Sequence, residues 1–372
     1  PDVFIPRRSM MGAMHNDKVV SRIESSRKGG GREGTIIRIL ERFQKKIVGR
    51  FERGRNFGFI IPTDKKICYD VFISPKHFMG AKNDDMVVAE ITSYPQKARN
   101  PEGEIIKVLG KAATPGIDTE IIIEEYGLPT KFPAEIISEA EALPDEVTNA
   151  MLDGRHDLRN LRTVTIDGER AKDFDDAVSI EKTNDGKFIL WVHIADVSHY
   201  VPWDSPLDKE AYSRGTSVYL PDRVIPMFPE KLSNHICSLN PRTDRLTLTV
   251  EMVFDHNGIR ADYKIYESVI NSNERMTYTD VWKILENNEA ELIARYQHIM
   301  DSFHLMKELC LKIRAKRMKR GSIDFDLPEP EIILDIQSQT IDIVRSERNI
   351  AHQIIEEFMI AANETIAQHM SG

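Results

Sequence analysis

TVTIDGERAKDFDDAVSIE spans residues 163–181, and its reading decides how the larger part of the chain folds. Two apolar runs, TVTI and AVSI, flank a stretch that carries Asp167, Asp173, Asp175 and Asp176. The runs read as strands. On an extended backbone Asp173 and Asp175 share a face while Asp176 points away, so the chain must turn between the strands for the four to converge. Two carboxylates ~4 Å apart repel by about 4 kcal/mol at an effective dielectric of about 20. Four together therefore splay into water, hold protons, or gather a cation. An all-oxygen set without His or Cys suits a hard ion, Mg²⁺ or Mn²⁺. An EF-hand loop does not fit: counted from Asp173, its Gly and Glu positions fall on Val178 and Asn184. On these residues alone, a solvated acidic turn and a metal cage both stand.

The rest of the composition sets the frame. A chain of 372 residues exceeds one ordinary core and predicts two or three domains. Hydrophobic residues make up 41% and charged residues 29%, the balance of a soluble globular protein. No apolar run approaches the ~18 to 20 residues that span a bilayer, and there is no signal-peptide pattern. A cytoplasmic protein with no membrane contact is expected. Cys68, Cys237 and Cys310 lie far apart without metal-type spacing and read as free thiols. The net charge of −9 is uneven: residues 1–60 hold 14 Lys/Arg against 6 Asp/Glu. A basic front on an acidic body fits a polyanion held at one end, or a solvated basic surface.

An internal repeat lies in that front. DVFIPRRSMMGAMHNDKVVSRI (2–23) aligns without gaps on DVFISPKHFMGAKNDDMVVAEI (70–91), with 11 of 22 positions identical. The spacing of the copies suits two small β-barrel modules in tandem. The first covers residues 1–40, without its front half, and the second residues 41–112. Within the second, IVGRFE, NFGFIIPT, YDVFIS, MVVAEIT and EIIKVLG read as five short strands, the number of an OB barrel. Phe57 and Phe59 share a strand face, Phe72 can join them from the next strand, and Arg50, Arg53 and Arg55 stand just before. Aromatics for bases beside cations for phosphates make a single-stranded nucleic-acid face, whereas core phenylalanines would fill the barrel. NFGFI and DVFIS resemble the two RNA-binding signatures of the cold-shock domain, and that resemblance implies stacking roles for Phe57, Phe59 and Phe72.

Residues 113–156 read as a connector with two short helical patterns, IDTEIIIEEYG and PAEIISEAEALP. From residue 157 to 372 the chain reads as one α+β domain, with helices near 278–287, 290–319 and 347–370. His193, Asp196 and His199 have the look of a metal set, but on a strand Asp196 points away from the two histidines, which favours structural roles. No GxSxG motif or Cys-His context supports a covalent nucleophile.

TIDGERAKDFDDAVSIE, WVHIADVSHYV, YLPDRVIPMFPEKLS, CSLNPRTDRLTLTVEMVFD and EEFMIAAN, in this order, resemble the catalytic (RNB) domain of the ribonuclease II / ribonuclease R exoribonuclease family, above all its bacterial ribonuclease R branch. The fold class implied is multidomain: all-β OB-fold barrels followed by an α+β RNB domain, incomplete at its C-terminus. The activity implied is processive 3′→5′ hydrolysis of single-stranded RNA to nucleoside 5′-monophosphates, by two-metal catalysis, in a monomeric protein. The resemblance places the metal ligands at Asp167, Asp173, Asp175 and Asp176, with Asp175 weighing most in the chemistry. It places an aromatic clamp on the 3′-terminal nucleotide at Tyr219, its stacking partner at Phe325, and an RNA or water-mediated metal contact at Glu356 or Glu357. Core roles for Tyr219 and Phe325, and a solvated helix face for the glutamates, are the plainer readings. Pro1 opens inside a strand pattern, DVFIP, and Gly372 directly follows a long helical one, so the stretch is expected to be cut at both ends; the family's later arginine motif and its S1 domain are absent, so it is expected to be weakly active or inactive alone. The alternative is an RNA-binding cold-shock protein whose RNB part is degenerate or regulatory.

Overall fold

The computed structural model describes residues 2–26, 31–96, 99–324, 329–335, 339–346 and 348–372; Phe325 lies outside them. The chain divides into two compact units. One comprises Pro1–Thr130 with Leu220–Arg223 and Ile332–Asp342; the other comprises Lys131–Tyr219, Val224–Glu331 and Ile343–Gly372.

The first unit begins with β1 (Val3–Phe4), β2 (Lys18–Ser26) and β3 (Arg32–Glu41), a sheet in the order β1-β3-β2. Then come β4 (Lys46–Arg53), β5 (Gly58–Pro62), β6 (Val71–Ile73), β7 (Asp85–Ser93) and β8 (Glu102–Lys111), which close into a barrel in the order β4-β5-β6-β8-β7. All five strands read from the sequence of the second module are present. Alternation sends Ile47, Phe51, Ile60, Val71, Ile73 and Val87 inward, where they are buried. Gly58 opens β5 because a Cβ there would stand 2.3 Å from the ring of Phe51. Helix α1 (Ile117–Tyr126) buries Ile117 and Ile123 and ends on left-handed Gly127.

The two sequence copies fold alike. Met11 and Met79, Gly12 and Gly80, and Asn16 and Asp84 are equivalent pairs, and all six residues have positive φ. Asp17 accepts the backbone N–H of Met14 at 2.9 Å, and its equivalent Asp85 accepts that of Lys82 at 2.7 Å.

The second unit starts with α2 (Ala134–Glu141), which packs Ile136 and Ala140 into a core with Phe174, Leu232 and Ile236. The stretch 113–156 is thus shared between the two units, with α1 in one and α2 in the other. The central sheet uses β9 (His156–Asp157), β10 (Thr163–Asp167), β11 (Asp176–Lys182) and β12 (Phe188–Ala195). Helices α3 (Val197–Tyr200) and α4 (Pro206–Arg214) and the hairpin β13 (Val218–Tyr219) and β14 (Val224–Ile225) follow. Strands β15 (Asp244–Phe254), β16 (Arg260–Asn271) and β17 (Glu274–Thr277) complete the sheet, in the order β17-β10-β11-β12-β15-β16-β9. Helices α5 (Tyr278–Trp282), α6 (Ala290–Arg295), α7 (Met300–Lys319) and α8 (Ile350–Ser371) come last. The helix expected over 290–319 is interrupted: Tyr296 leaves helical geometry at φ −104°, ψ 20°, and α7 starts afresh at Met300.

One sheet face is apolar. Val164, Ile166, Val178, Ile180, Leu190 and Val192 pack there with Phe303 of α7 and Phe358 of α8. The other carries a buried polar line. Thr163 meets Ser179 at 2.7 Å, Ser179 meets His193 Nε2 at 3.0 Å, His193 Nδ1 meets Thr249 at 2.8 Å, and Thr249 meets Ser268 at 2.6 Å. Enclosure in this line pushes the His193 imidazole down to about 3, so it is neutral. Asp196 ion-pairs with Arg155 at 2.6 Å and caps α3. His193 and Asp196 of the HxxDxxH set therefore serve the fold.

Candidate active site

Asp167 ends β10 and Asp176 begins β11, the antiparallel neighbour of β10, and the Asp176 charge is felt at Asp167. The intervening turn carries Asp173 and Asp175 and is braced from both sides. Phe174 buries its ring in the core while its N–H donates to Ser238 Oγ at 3.0 Å, and Ser238 Oγ donates to the carbonyl of Lys172 at 2.8 Å. On the other side, Arg275 of β17 donates to the carbonyls of Gly168 and Glu169. Strand β17 lies parallel to β10, which brings Arg275 beside a turn about a hundred residues earlier in the chain.

The electrostatics follow from this crowding. Burial, then the Asp176 charge, pushes the Asp167 carboxyl up to about 7, against the opposing pull of Arg275. Burial, then Asp175, pushes Asp176 up to about 6. Asp175 is raised too, by partial withdrawal from water and then by Asp173, although its outer edge is solvent-exposed. Asp167 Oδ2 is buried and has no hydrogen-bond partner, and neither has the buried hydroxyl of Thr165 on the same strand face. Among the described residues no three His, Cys, Asp or Glu side chains stand close enough to enclose one ion. The four aspartates are neighbours in an open arrangement, and the orphaned oxygen and the all-carboxylate donors fit a hard divalent ion.

Tyr219, on the β13–β14 hairpin, is 63% exposed, so a core role is excluded, and its hydroxyl donates to Asp173. Partial burial and this bond push the phenol up to about 12. A cavity of about 410 Å³ lies here, lined by Asp173, Asp175, Tyr219, Ile194, Phe228 and Cys237 among others. A second cavity, of about 730 Å³, adjoins Gly168–Ala171 and is walled by Tyr278, Trp282, Arg345 and His352. Tyr278 stacks on His352 with ring centroids 4.0 Å apart. The phenol of Tyr278 is pushed up to about 12, by burial first and then by Asp167 and Asp176, which places it beside these carboxylates.

Glu356 and Glu357 are engaged elsewhere. Glu357 is fully buried on Arg317, whose Nε contacts both carboxylate oxygens at 3.1 and 3.0 Å. Glu356 pairs with Arg317 at 3.3 Å and also with Arg348, which holds Asp324 at 2.6 Å.

On the barrel of the other unit, Phe57, Phe59 and Phe72 come together outside the core. Their ring centroids are 5.7, 5.8 and 6.5 Å apart, and Phe57 is 45% exposed. Arg50 is held by Glu52 at 2.7 Å and Asp84 at 2.8 Å; Arg53 lies over the ring of Phe78 at 5.3 Å; Arg55 is exposed on the turn before β5.

The model of the RNB domain matches residues 155–372, more than half of the sequence. The chain belongs to the RNB domain family. The cold shock domain model matches residues 59–133, and that of the ribonuclease B OB domain residues 1–39. Ribonuclease R of Thermotoga maritima is 47% identical over 99% of this chain, which covers 52% of that protein. Ribonuclease R of Aquifex aeolicus is 41% identical over 99% of the chain and 52% of its own length. The RNB-family chain thus spans about half the length of these curated relatives. Among solved structures, Mycoplasma genitalium RNase R in complex with ribose-methylated single-stranded RNA superposes with a TM-score of 0.90 at 28% identity, over 99% of this chain and 58% of that one.

Motif spacing singled out the aspartates, and the family resemblance singled out Tyr219. Both missed Arg275, Ser238 and Tyr278. Ser238 lies within the quoted CSLNPRTDRLTLTVEMVFD stretch, but nothing local marks its bond to the turn, and Arg275 and Tyr278 reach the site through strand pairing or loop packing remote in sequence.

Proposed function

We propose that this RNB-family chain is the metal-binding and RNA-gripping part of a 3′→5′ exoribonuclease that hydrolyses single-stranded RNA processively to nucleoside 5′-monophosphates. The observation that carries the reading is the crowding of four aspartates where β10 ends and β11 begins, with the carboxyls of Asp167, Asp175 and Asp176 raised and an exposed tyrosine bonded to Asp173. Asp167, Asp173, Asp175 and Asp176 would hold Mg²⁺ or Mn²⁺. Such ions, when bound, supply a more acidic water and neutralise charge on the phosphate. The chain's own residues supply the rest. Arg275 and Ser238 fix the turn so that the carboxylates are presented together. Tyr219 offers a ring on which the 3′-terminal base stacks, a contact that tolerates any sequence. Its hydroxyl ties that ring to Asp173, so the terminal nucleotide is gripped beside the carboxylates that act on the adjoining phosphate. Phe57, Phe59 and Phe72 offer a further RNA-stacking face on the barrel.

The test is degradation of uniformly labelled single-stranded RNA by the full-length protein with Mg²⁺, beside Asp175→Asn. Release of 5′-monophosphates by the wild type and its loss in the variant is the expected result. Binding without cleavage by the wild type would favour an RNA-binding protein with a degenerate RNB domain. Equal rates in the two proteins would remove Asp175 from the chemistry.

A further inference from the structure

The RNB sheet has a second end. Asp176 lies level with Ile194 and Leu248, at one end of β11, β12 and β15. Phe254 lies level with Phe188 and Lys182, at the other. There the turn between β15 and β16 closes against α7. Gly258 permits the approach: its φ is +73°, and a Cβ on it would stand 2.8 Å from that of Lys312. A cavity of about 350 Å³ lies in this corner, between the turn, α7 and α8. Phe254, Ile313 and Ile360 supply apolar wall. Arg260 enters from the turn, and Lys316, Arg317 and Arg320 from the end of α7, where spacings of three and four put them on one face with Ile313.

The charges in this corner do not cancel. Four cations meet one lining carboxylate, Glu364. Arg320 takes Glu364, and Arg317 is taken by Glu356 and Glu357. Arg260 and Lys316 are left with neutral acceptors. Arg260 donates to the Thr365 hydroxyl and to Gln368 Oε1, and Lys316 donates to the carbonyl of Gly258 at 3.4 Å. Neither has a carboxylate partner among the described residues. The carboxyl of Asp255, in the same turn, is held low first by the N–H of Ile259 at 2.7 Å and last by Lys316.

We infer that this corner binds a small organic phosphomonoester, of the size of a nucleoside monophosphate, away from the aspartates. The phosphate takes Arg260 and Lys316, whose two charges match a phosphomonoester near neutral pH. The organic body packs on Phe254, Ile313 and Ile360. The volume falls at the lower end of the range for small-molecule sites. Asn349, which caps α8, lines the cavity beside Gly168–Ala171, and Gln368 stands about 28 Å further along the same helix. The site is thus separate from the carboxylates, and the inference stands independently of the proposed function.

The experiment photolyses 8-azidoadenosine 5′-monophosphate with the full-length protein and maps the labelled peptides. Labelling within 254–260, 313–320 or 360–368 is expected, and excess AMP should suppress it where adenosine and inorganic phosphate each do so less well. Lys316 is exposed, which lets it be changed without disturbing the core. In Lys316→Gln the AMP concentration that half-suppresses this labelling should rise about tenfold, the loss of one charge-assisted hydrogen bond, and Lys316→Arg should stay close to the parent. No labelling in these peptides, or labelling confined to the hairpin of Tyr219, overturns the inference. So does suppression by adenosine or by inorganic phosphate as strong as by AMP, because the cations or the apolar wall then contribute nothing. An unchanged AMP concentration in Lys316→Gln also overturns it. The mapping needs no variant, so it decides even if Lys316→Gln fails to fold.

Discussion

In the barrel, Phe57, Phe59 and Phe72 stand outside a core already closed by Ile47, Phe51, Ile60 and Val71. In the RNB sheet, Asp167 and Asp176 stand where β10 ends and β11 begins, largely withdrawn from water and raised, Asp167 by burial and then Asp176, Asp176 by burial and then Asp175. The barrel can lose one ring and keep both its fold and its other rings. The aspartates cannot be changed singly without altering the charge felt by the rest. A stacking face therefore tolerates the loss of one ring, whereas a carboxylate cluster acts as one unit.

The largest expected effect tests that unity. Asp175→Asn should lower the rate of RNA hydrolysis by about a hundred- to a thousandfold, as loss of one electrostatic group from an active site does. RNA affinity should stay within a few-fold. A loss of only a few-fold in rate would mean that the aspartates act independently.

Next comes Glu357→Ala, which leaves the guanidinium of Arg317 with Glu356 and the Ser322 hydroxyl and without its buried carboxylate. Breaking a buried ion pair costs about 3 to 5 kcal/mol, so the melting temperature should fall by several degrees. Weaker RNA binding at unchanged stability would return Glu357 to the role of an RNA ligand. Phe59→Ala then probes the tolerant side: about 1 to 3 kcal/mol of RNA affinity should be lost, with the rate at saturating RNA unchanged. A fall in that saturated rate would show that the barrel face takes part in the chemical step.

The smallest effect concerns acid. His193 is neutral in the fold down to about pH 3, whereas in the unfolded chain it gains a proton below about 6.5. Stability is therefore lost as pH falls from about 6.5 towards 3, by about 1.4 kcal/mol for each unit within that window. His193→Asn should flatten this slope in thermal melts taken between pH 7 and pH 5. A slope identical to wild type would assign the acid sensitivity to other groups.

Much of this was legible in advance. The strands of the barrel are short, alternate in polarity and are punctuated by glycine, so their faces follow from period alone, and Phe57, Phe59 and Phe72 were readable as a set. The aspartates were readable because they crowd into one turn. Arg275 was not, because only the parallel pairing of β17 with β10 brings it there. Glu356 and Glu357 looked available on a helix, and their arginines became visible only once α7 and α8 were packed together. The break at Tyr296 left no mark in a sequence whose helical periodicity continues across it.

The line from Thr163 through Ser179, His193 and Thr249 to Ser268 has a mechanical consequence. Each hydroxyl or imidazole is matched to a partner on the adjacent strand, so a strand that slid by two residues would keep its face but abandon its match inside a dry layer. The polar groups act as indexing pins between β10, β11, β12, β15 and β16, where greasy contacts alone would permit sliding. Asp167 and Asp176 lie on two of the pinned strands, and the spacing of these carboxylates is thereby set by groups that never meet the RNA.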